Sequence, residues 1–365
     1  MLEHRPSNPE NGRRKPFEPK KEMNRLEPII SSTTNNFLME EIRNLPSKQT
    51  LVNHGEYRVA YAQAPQIPYL LREIGRLREM TFRQAGEGTG KALDLDEYDT
   101  FYLHLFLWKE DTKEIVGAYR LGPTDKLVNR FGKRSLYTQT LFSCRHSFFN
   151  QINPALELGR SFIRAEFQKS YAPLLLLWKG IGQYVVRYPQ YKILFGPVSI
   201  NQGYQANSRE LMVTYLKDKS YLSEMAKLIR PKNPFRSRPE GWMVTAARVL
   251  LKDIEEVSSW VSELEPDQKG VPVLLKQYIK LGGKLLGFNI DPQFSHVLDG
   301  LILVDLTRTD PDILGRYMGK EGLQTFIEYH GHNQDLIKRI LETPGSNNQS
   351  MVPLTYLPAF QKGGI

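Results

Sequence analysis

The stretch at residues 153–186, NPALELGRSFIRAEFQKSYAPLLLLWKGIGQYVV, decides the fold of this chain. Its first part alternates as a β-strand does, and the alternation stops at Lys169, Ser170 and Tyr171. Pro173 suits the first turn of a helix, and the apolar residues of 174–187 predict a largely buried one. A strand, a turn and a helix therefore follow one another. Such a junction directs free backbone N–H groups and the positive end of a helix dipole at one place, which favours an anionic group.

Two ionisable residues, Glu157 and Arg160, lie inside the predicted strand. Strict alternation places them on opposite faces, so a shared site requires a bulge between them, and Gly159 is a plausible position for it. Because charges inside a strand are costly unless they are paired, this pair beside the junction is the best candidate for an active site.

Composition narrows the class of protein. The chain has 365 residues, of which 40% are hydrophobic, enough for one large domain or two ordinary ones. No apolar run is long enough to span a bilayer, and the N-terminus lacks the apolar core of a secretory signal, so we expect a cytoplasmic protein. Cys144 is the single cysteine, which excludes an internal disulfide and a cysteine-based zinc site. The net charge of +9 indicates an acidic partner.

The hydrophobic pattern predicts three regions. Residues 1–53 are rich in Pro, Asn, Ser, Lys and Arg and suggest a flexible basic tail or linker, with at most a short helix at 38–51. Residues 54–330 alternate strands and helices, which predicts an α/β or α+β domain with a mixed sheet and helices on both faces. Residues 331–365 are expected to be a C-terminal extension. The glycine-rich segment 84–91, QAGEGTGK, is interpreted as a flexible loop rather than a phosphate cradle, because no strand precedes it.

Charged residues cluster in four blocks: 77–82 (LREMTF), 94–99 (DLDEYD), 119–124 (YRLGPT) and 157–162 (ELGRSF). We expect the three arginines of these blocks, Arg78, Arg120 and Arg160, to pair with Glu157 or with the acidic block. A purely structural ion-pair network and a substrate site are equally compatible with that pattern. Basic residues do not alternate with aromatic ones, so nucleic acid is not an expected partner.

In order and spacing, the four blocks resemble those of acyl-homoserine-lactone synthases and, more strongly, of the ornithine-lipid and glycine-lipid N-acyltransferases in the hemolysin-like branch. Both groups have the GNAT fold, a mixed and mostly antiparallel sheet flanked by helices. The resemblance extends over about residues 57–305. It implies an N-acyltransferase of aminolipid synthesis that moves a long acyl chain from acyl carrier protein to the amino group of an amino acid, of the ornithine or glycine type.

The resemblance also implies roles for individual residues. Catalytic roles fall to Glu157 as the base that takes the amine proton, and to Arg160 and Arg120. Substrate-binding roles fall to Arg78, Phe82, Asp94, Asp96, Asp99 and Ser199, and contact with the phosphopantetheine arm to Lys169, Ser170 and Tyr171.

No tightly bound cofactor and no metal are expected. An acyl-phosphopantetheine thioester, on acyl carrier protein or coenzyme A, is the co-substrate. The positive charge of the chain favours acidic acyl carrier protein and also contact with the anionic inner face of the membrane.

Two alternatives remain open from the sequence. An autoinducer-type synthase would use S-adenosylmethionine as its acceptor. A non-catalytic module would bind lipid or carrier protein and would bind a thioester without turnover.

Overall fold

The computed structural model describes residues 26–331, and they are organised around one eight-stranded sheet in the order β1-β2-β3-β4-β6-β7-β10-β9. Neighbouring strands are antiparallel except for the parallel pair β6–β7. Strands β5 and β8 form a separate two-stranded sheet. The strands are β1 (Thr50–His54), β2 (Tyr57–Gln63), β3 (Leu103–Lys109), β4 (Glu114–Pro123), β5 (Phe142–Cys144), β6 (Ala155–Ile163), β7 (Ile193–Ile200), β8 (Ile229–Pro231), β9 (Lys284–Asp291) and β10 (Val297–Asp305).

Helices cover both faces of the large sheet, which confirms the predicted fold class. The helices are α1 (Asn35–Asn44), α2 (Pro68–Gln84), α3 (Thr124–Phe131), α4 (Thr138–Leu141), α5 (His146–Ile152), α6 (Ala172–Arg187), α7 (Ala206–Lys219), α8 (Ser223–Ala226), α9 (Gly241–Thr245), α10 (Ile254–Leu264), α11 (Val273–Lys280) and α12 (Pro311–Tyr329). Helices α7 and α8 are separate, because the chain is not helical at residues 220–222.

Helix α2 packs on one face through Leu70, Ile74 and Leu77, against Phe106 of β3 and Ala118 of β4. These three leucine and isoleucine side chains recur at helical spacing, so one stripe of α2 is removed from water while its arginines point elsewhere. The C-terminal end of α2 lies near the predicted active-site strand β6.

Helix α6 packs on the opposite face, as its apolar sequence predicts. Gly180 lets it approach the sheet closely, because a Cβ there would lie 2.5 Å from Cγ1 of Val59. Gly182 plays the same part toward α12, since its Cβ would lie 2.9 Å from the carbonyl of Tyr317. The predicted strand, turn and helix at 153–187 are therefore confirmed as β6 and α6.

The N-terminal boundary is the main correction to the predicted organisation. The sequence predicts a flexible tail up to residue 53, but within residues 26–53 helix α1 buries Leu38 and Ile42, and β1 pairs with β2. Glu41 also accepts backbone N–H groups at the start of α2. Helix α1 buries only Leu38 and Ile42, and the Asn-, Ser- and Thr-rich residues before it hide so short an apolar stripe in the sequence. Residues 1–25 and 332–365, the rest of the expected tail and almost all of the expected extension, lie outside the described residues.

No helix within residues 26–331 combines the length and the hydropathy that crossing a membrane requires.

Candidate active site

Strand β6 contains a β-bulge, which begins one residue beyond Gly159, the position that the sequence suggests. Its pairing with β4 shifts between Ala118 and Arg120, so that Arg160 and Ser161 together oppose a single residue of β4. Arg160 has a φ of 48°, a left-handed backbone that residues other than glycine rarely adopt and that costs on the order of 1–3 kcal/mol. The bulge is next to Gly159, and the strained residue is Arg160 itself.

Strands β6 and β7 separate just beyond their only paired segment. They pair in parallel at residues 155–157 and 193–195, and no further. At Gly196 a Cβ atom would lie 2.0 Å from the carbonyl oxygen of Leu158, so only glycine fits where the two strands are closest. Past that point the sheet forks, and backbone groups on the β7-facing edge of β6 are released from the ladder.

An open cleft lies at this fork. Apolar and charged side chains both reach it, so the cleft offers an apolar wall and a polar one. Its lining residues are Phe82, Glu87, Tyr137, Leu141, Gly159, Arg160, Ser161, Pro197, Val198, Ser199, Leu274, Asp291, Phe294 and Asp299.

A network of buried and partly buried charges lies behind the cleft and reaches it at Arg160. We call it the charge network: Arg78, Asp94, Asp96, Asp99, Arg120 and Arg160. Arg78 donates from Nε to Asp94 Oδ2 at 2.8 Å and from Nη2 to Asp99 Oδ2 at 2.9 Å. Arg120 Nη1 donates to Asp96 Oδ1 at 2.6 Å. The three arginines meet the acidic block, as predicted.

The two arginines at the centre of the charge network are closed off from solvent. Arg78 and Arg120 are each 1% exposed. The Arg120 Cζ atom lies 5.0–5.6 Å from the centroids of three tyrosine rings, Tyr98, Tyr102 and Tyr137, which shield it from water. Their place in the structure therefore fits support of the site better than contact with a substrate.

His104 completes the charge network from β3. Burial lowers the pKa of His104 to about 4, so the imidazole is neutral near pH 7 and its Nε2 carries the proton donated to the Asp99 carbonyl at 2.8 Å. The guanidinium groups of Arg78 and Arg120 hold the pKa of the Asp99 carboxyl below its usual range, against the opposing effect of burial. Asp99 is thus an ionised, fully paired carboxylate.

Arg160 differs from the other two arginines because it reaches the cleft. Its Nε lies 3.4 Å from Asp94 Oδ2 and its Nη2 lies 3.7 Å from Asp96 Oδ2, which are ion pairs of weak geometry. Its Cζ atom lies 4.8 Å from the ring centroid of Phe294 and 4.9 Å from that of Tyr137. The guanidinium therefore retains donor capacity on the cleft side.

Glu157 does not lie where a base in the cleft would have to be. It is 1% exposed and accepts hydrogen bonds from Tyr102 Oη, the Tyr137 N–H and both the N–H and the hydroxyl of Thr138. Burial raises its pKa, and these hydrogen bonds oppose that rise. The partners of Glu157 are therefore Tyr102 and the residues at the start of α4, and not the arginine that the sequence predicts. A carboxylate with all these donors fixes the segment that carries Tyr137 into the cleft wall.

Three cleft carboxylates were not among the residues predicted from the sequence: Glu87, Asp291 and Asp299. Ser199 Oγ donates to Glu87 Oε1 at 2.9 Å, which places the predicted substrate residue Ser199 in the cleft. Phe82 also lines the cleft and stacks edge-on against Phe294, with ring centroids 5.1 Å apart.

Burial raises the pKa of Glu87 to about 7 and that of Asp299 well above its usual value. No local sequence pattern indicates Glu87, because its contact with Ser199 spans 112 residues.

Glu79 anchors the glycine-rich loop that carries Glu87. The Thr89 N–H donates to Glu79 Oε2 at 3.0 Å, and the Gly90 N–H donates to Oε1 at 2.8 Å. Arg83 Nε pairs with the same carboxylate at 2.8 Å. The amides of the loop are therefore occupied by a protein carboxylate, which agrees with the prediction that the loop is no phosphate cradle but not with the prediction that it is flexible.

Lys169, Ser170 and Tyr171 lie apart from the cleft lining, exposed on the turn before α6. Ser170 Oγ accepts the Ala172 N–H at 3.2 Å, and Tyr171 Oη donates to Gln277 Oε1 at 3.0 Å. The turn is adjacent to the N-terminus of a 16-residue helix, where an anion is favoured.

A family model described as Acetyltransferase (GNAT) domain matches residues 77–178, which include the C-terminal half of α2, the charge network and β6. This chain contains a GNAT domain. The match covers the bulge and the beginning of α6, the parts around which the cleft is built. The matched residues contain three strands of the large sheet, β3, β4 and β6.

Two relatives match nearly the whole chain. The glycine N(alpha)-acyltransferase of Bacteroides thetaiotaomicron is 29% identical over 335 residues, covering 88% of this chain and 96% of that protein. The glycine N(alpha)-acyltransferase of Phocaeicola vulgatus is 29% identical over 320 residues, covering 84% and 95%. With its GNAT domain and these relatives, the chain is an acyltransferase.

Two solved structures show a distant likeness. The AHL synthase LasI aligns with a TM-score of 0.28 at 13% identity, covering 44% of this chain and 78% of its own. The CoA-dependent acyl-homoserine lactone synthase MesI aligns with a TM-score of 0.34 at 12% identity, covering 76% and 96%.

Proposed function

We propose that this GNAT acyltransferase moves a long acyl chain from a thioester to the amino group of an amino acid of the glycine or ornithine type, as a step of aminolipid synthesis. The observation that carries the proposal is the cleft at the β6–β7 fork, where released backbone groups, an apolar wall and charged side chains meet. The names of the two relatives, both glycine N(alpha)-acyltransferases, support an amino acid as acceptor.

The thioester is expected to lie along the fork. Backbone N–H groups of β6 past Glu157 can bind the oxyanion that forms when the amine attacks, and such a donor contributes about 3 kcal/mol to transition-state stabilisation. Leu141, Val198 and Leu274 offer an apolar wall for the acyl chain. The exposed turn at 169–171 and the N-terminus of α6 are the proposed contact for the phosphate of the phosphopantetheine arm.

Acyl carrier protein is the donor we favour over coenzyme A. The chain has a net charge of +9, and complementary charge speeds the encounter with an acidic carrier protein. The same charge would favour a peripheral position on anionic membrane, where an acylated amino acid would partition.

Arg160 is the proposed ligand of the acceptor carboxylate. It is the arginine of the charge network that lines the cleft, and its ion pairs to Asp94 and Asp96 are long enough to leave donors available. Asp94 and Asp96, which pair with Arg78 and Arg120, hold Arg160 in place from behind. Glu157 fixes Tyr137 beneath the Arg160 guanidinium. The acceptor is thereby oriented with its amine toward the thioester.

Incubation of the purified protein with palmitoyl thioesters of acyl carrier protein and of coenzyme A, each with glycine, ornithine or S-adenosylmethionine, tests the function. Mass spectrometry should detect an N-palmitoyl amino acid, formed faster from the carrier-protein thioester. A product from S-adenosylmethionine alone would favour an autoinducer synthase, and thioester binding with no product from any acceptor would favour the non-catalytic module.

The variant Arg160→Met tests the acceptor site in the same assay. We expect its KM for glycine to rise by about tenfold or more, because the charge-assisted hydrogen bonds to the carboxylate are lost. The exposed Arg130→Met is the matched control and should behave as the unmodified protein does. Unchanged KM in Arg160→Met would remove Arg160 from the acceptor site.

A further inference from the structure

Acidic side chains outnumber basic ones at the wall of the cleft. Glu87 comes from the loop after α2, Asp291 from the end of β9 and Asp299 from β10, and Arg160 is the one cationic side chain among the described residues of the lining. The positive charge of Arg160 is moreover partly compensated by its ion pairs with Asp94 and Asp96 behind it. The cleft therefore holds more acidic groups than its own cationic side chain can pair with.

The sheet register brings two of these carboxylates to the same point. Ser199 of β7 pairs directly with Asp299 of β10, so their side chains project from the same face at a Cβ separation of about 5 Å. Ser199 also donates to Glu87. Glu87 and Asp299 consequently flank one hydroxyl, on the cleft side of the sheet.

One carboxylate oxygen of Asp299 is buried without a hydrogen-bond donor among the described residues. Asp299 is 5% exposed, and its Oδ2 has no hydrogen-bond partner within residues 26–331. A buried carboxylate oxygen without a donor costs free energy, which a ligand N–H would recover. The chemistry that fits is a compact cation with several donors, and an ammonium group has three.

A divalent metal fits this place less well than an ammonium group. No cluster of three histidine, cysteine or acidic side chains with a spacing suited to a metal ion occurs in the described residues. A metal needs oxygen ligands drawn within about 2–2.6 Å of one centre, whereas an ammonium bridges groups that are farther apart.

We infer that Glu87 is the base that takes a proton from the acceptor amine, and that Asp299, with Asp291 beside it, holds the ammonium form of that amine before transfer; the inference rests on the proposed function, whose acceptor it locates. Glu87 and Asp299 thus replace Glu157, which is sealed behind the cleft wall, in the chemistry of the amine. The acceptor spans from Arg160 at its carboxylate to Glu87 and Asp299 at its nitrogen.

The step balances as follows in atoms and charge. The ammonium gives one proton to the Glu87 carboxylate, and the free amine attacks the thioester carbonyl to form the C–N bond. The tetrahedral intermediate collapses as the C–S bond breaks. The second proton of the nitrogen passes to the departing thiolate, which leaves as a thiol, and Glu87 returns its proton to solvent.

The surroundings of Glu87 suit this task. Arg160 of β6 stabilises the Glu87 carboxylate, and Asp299 of β10 repels it when both are ionised. The negative charge of Glu87 also raises the pKa of Tyr204, which follows β7. Burial is the largest influence and raises the pKa of Glu87 to about 7. A base poised near neutral pH is about half ionised at pH 7 and still basic enough to accept a proton.

The test is the pH dependence of kcat/KM for glycine at saturating palmitoyl thioester, in the full chain and in Glu87→Gln. The unmodified protein should show an acid limb with a pKa near 7. Glu87→Gln should lose about 100-fold or more at pH 7. Its remaining activity should follow the pKa of the glycine amine, so the defect should shrink as the pH rises. Glutamine keeps an oxygen for Ser199, which favours a folded variant.

Two further variants complete the experiment. Asp299→Asn should raise the KM for glycine about tenfold with a smaller change in kcat, because it removes charge from the ammonium site but not the base. Glu73→Gln, a buried glutamate of α2 that pairs with Arg76 outside the cleft, is the control and should keep the unmodified profile.

The inference would be overturned if Glu87→Gln kept near-normal activity and its kcat/KM for glycine still showed an acid limb near pH 7. That result would leave the proposed function intact. No product from the unmodified protein with any amine would instead refute the proposed function, and the inference with it. If Glu87→Gln does not fold, Glu87→Asp decides: a loss of tenfold or more with the limb retained supports the base, and full activity overturns it.

Discussion

The charge network and the cleft both contain carboxylates withdrawn from water, yet their chemistry is opposite. Asp99 meets two arginines and its pKa falls below the usual range. Glu87 meets a serine and a more distant arginine, and its pKa rises to about 7. The difference teaches that burial alone does not define a functional carboxylate. Paired acids stabilise the framework, and acids left short of partners are available for a substrate.

The largest effect is expected from breaking the charge network. Asp99→Asn leaves Arg78 and Arg120 buried without full compensation, and we expect the free energy of unfolding to fall by about 3–5 kcal/mol. Urea denaturation at pH 7 measures this.

The pKa of Asp99 is lower in the folded state, so its contribution is fully present above its ordinary pKa of about 3.9 and is lost as the pH falls below it. The gap between the two proteins should therefore narrow in acid. The exposed Glu224→Gln, whose partner is Lys227, is the control and should change stability by less than about 1 kcal/mol.

The next effect concerns the boundary between the two regions, where β6 and β7 begin to separate. Gly196→Ala places a Cβ 2.0 Å from the Leu158 carbonyl oxygen, so the strands must move apart at a cost of about 3 kcal/mol. Thermal unfolding measures the loss. Gly55→Ala is the control, because φ there is 57° and a Cβ meets nothing within 4 Å. It measures the cost of backbone strain without any collision. Equal losses in the two variants would contradict a close strand contact at the fork.

Glu157→Gln tests to which of the two regions Glu157 belongs. The amide NH2 would face N–H donors at Tyr137 or Thr138, and we expect a loss of about 2 kcal/mol in stability. The acid limb of kcat/KM near pH 7 should remain, because Glu157 does not touch the cleft. Disappearance of that limb, with normal stability, would return the role of base to Glu157.

The smallest effect has the opposite sign. The pKa of Glu87 is higher in the folded state, so the folded protein holds a proton that the unfolded chain releases between about pH 4.5 and 7, and stability declines over that range. Glu87→Gln removes this decline and should be more stable than the unmodified protein by about 1 kcal/mol at pH 8, with little difference at pH 4. Urea denaturation at the two pH values measures it. A variant that is less stable at both would assign Glu87 to the framework.

Much of the framework could be predicted from the sequence, because local pattern dictates it. Alternation predicts β6, the apolar run after Pro173 predicts α6, and the cost of charge inside a strand predicts that Arg120 meets the acidic block. A bulge is expected because a shared site of Glu157 and Arg160 needs one, yet the bulge found at Arg160 and Ser161 does not bring Glu157 into the cleft. These are properties of neighbouring residues and of simple electrostatics.

The cleft could not be predicted in the same way. Glu87 lies in a glycine-rich loop with no periodicity, and its role depends on Ser199 and Asp299, which the sheet order brings together from distant parts of the chain. Glu157 looks catalytic in the sequence because its burial depends on Tyr102 and Thr138, in segments that give no clear pattern. The different roles of Glu87, the proposed base, and Glu157, the buried acid, therefore depend on long-range strand register and not on local sequence preference.

The anchoring of the glycine-rich loop by Glu79 has a consequence for catalysis. Two loop amides and Arg83 converge on the Glu79 carboxylate, so the loop is held in shape before any substrate arrives. Preorganisation of this kind removes the need to rearrange the reacting groups during turnover, and the corresponding free energy is spent once, when the chain folds. Glu79, which does not contact the substrate, thereby determines how precisely Glu87 is positioned as the proton acceptor.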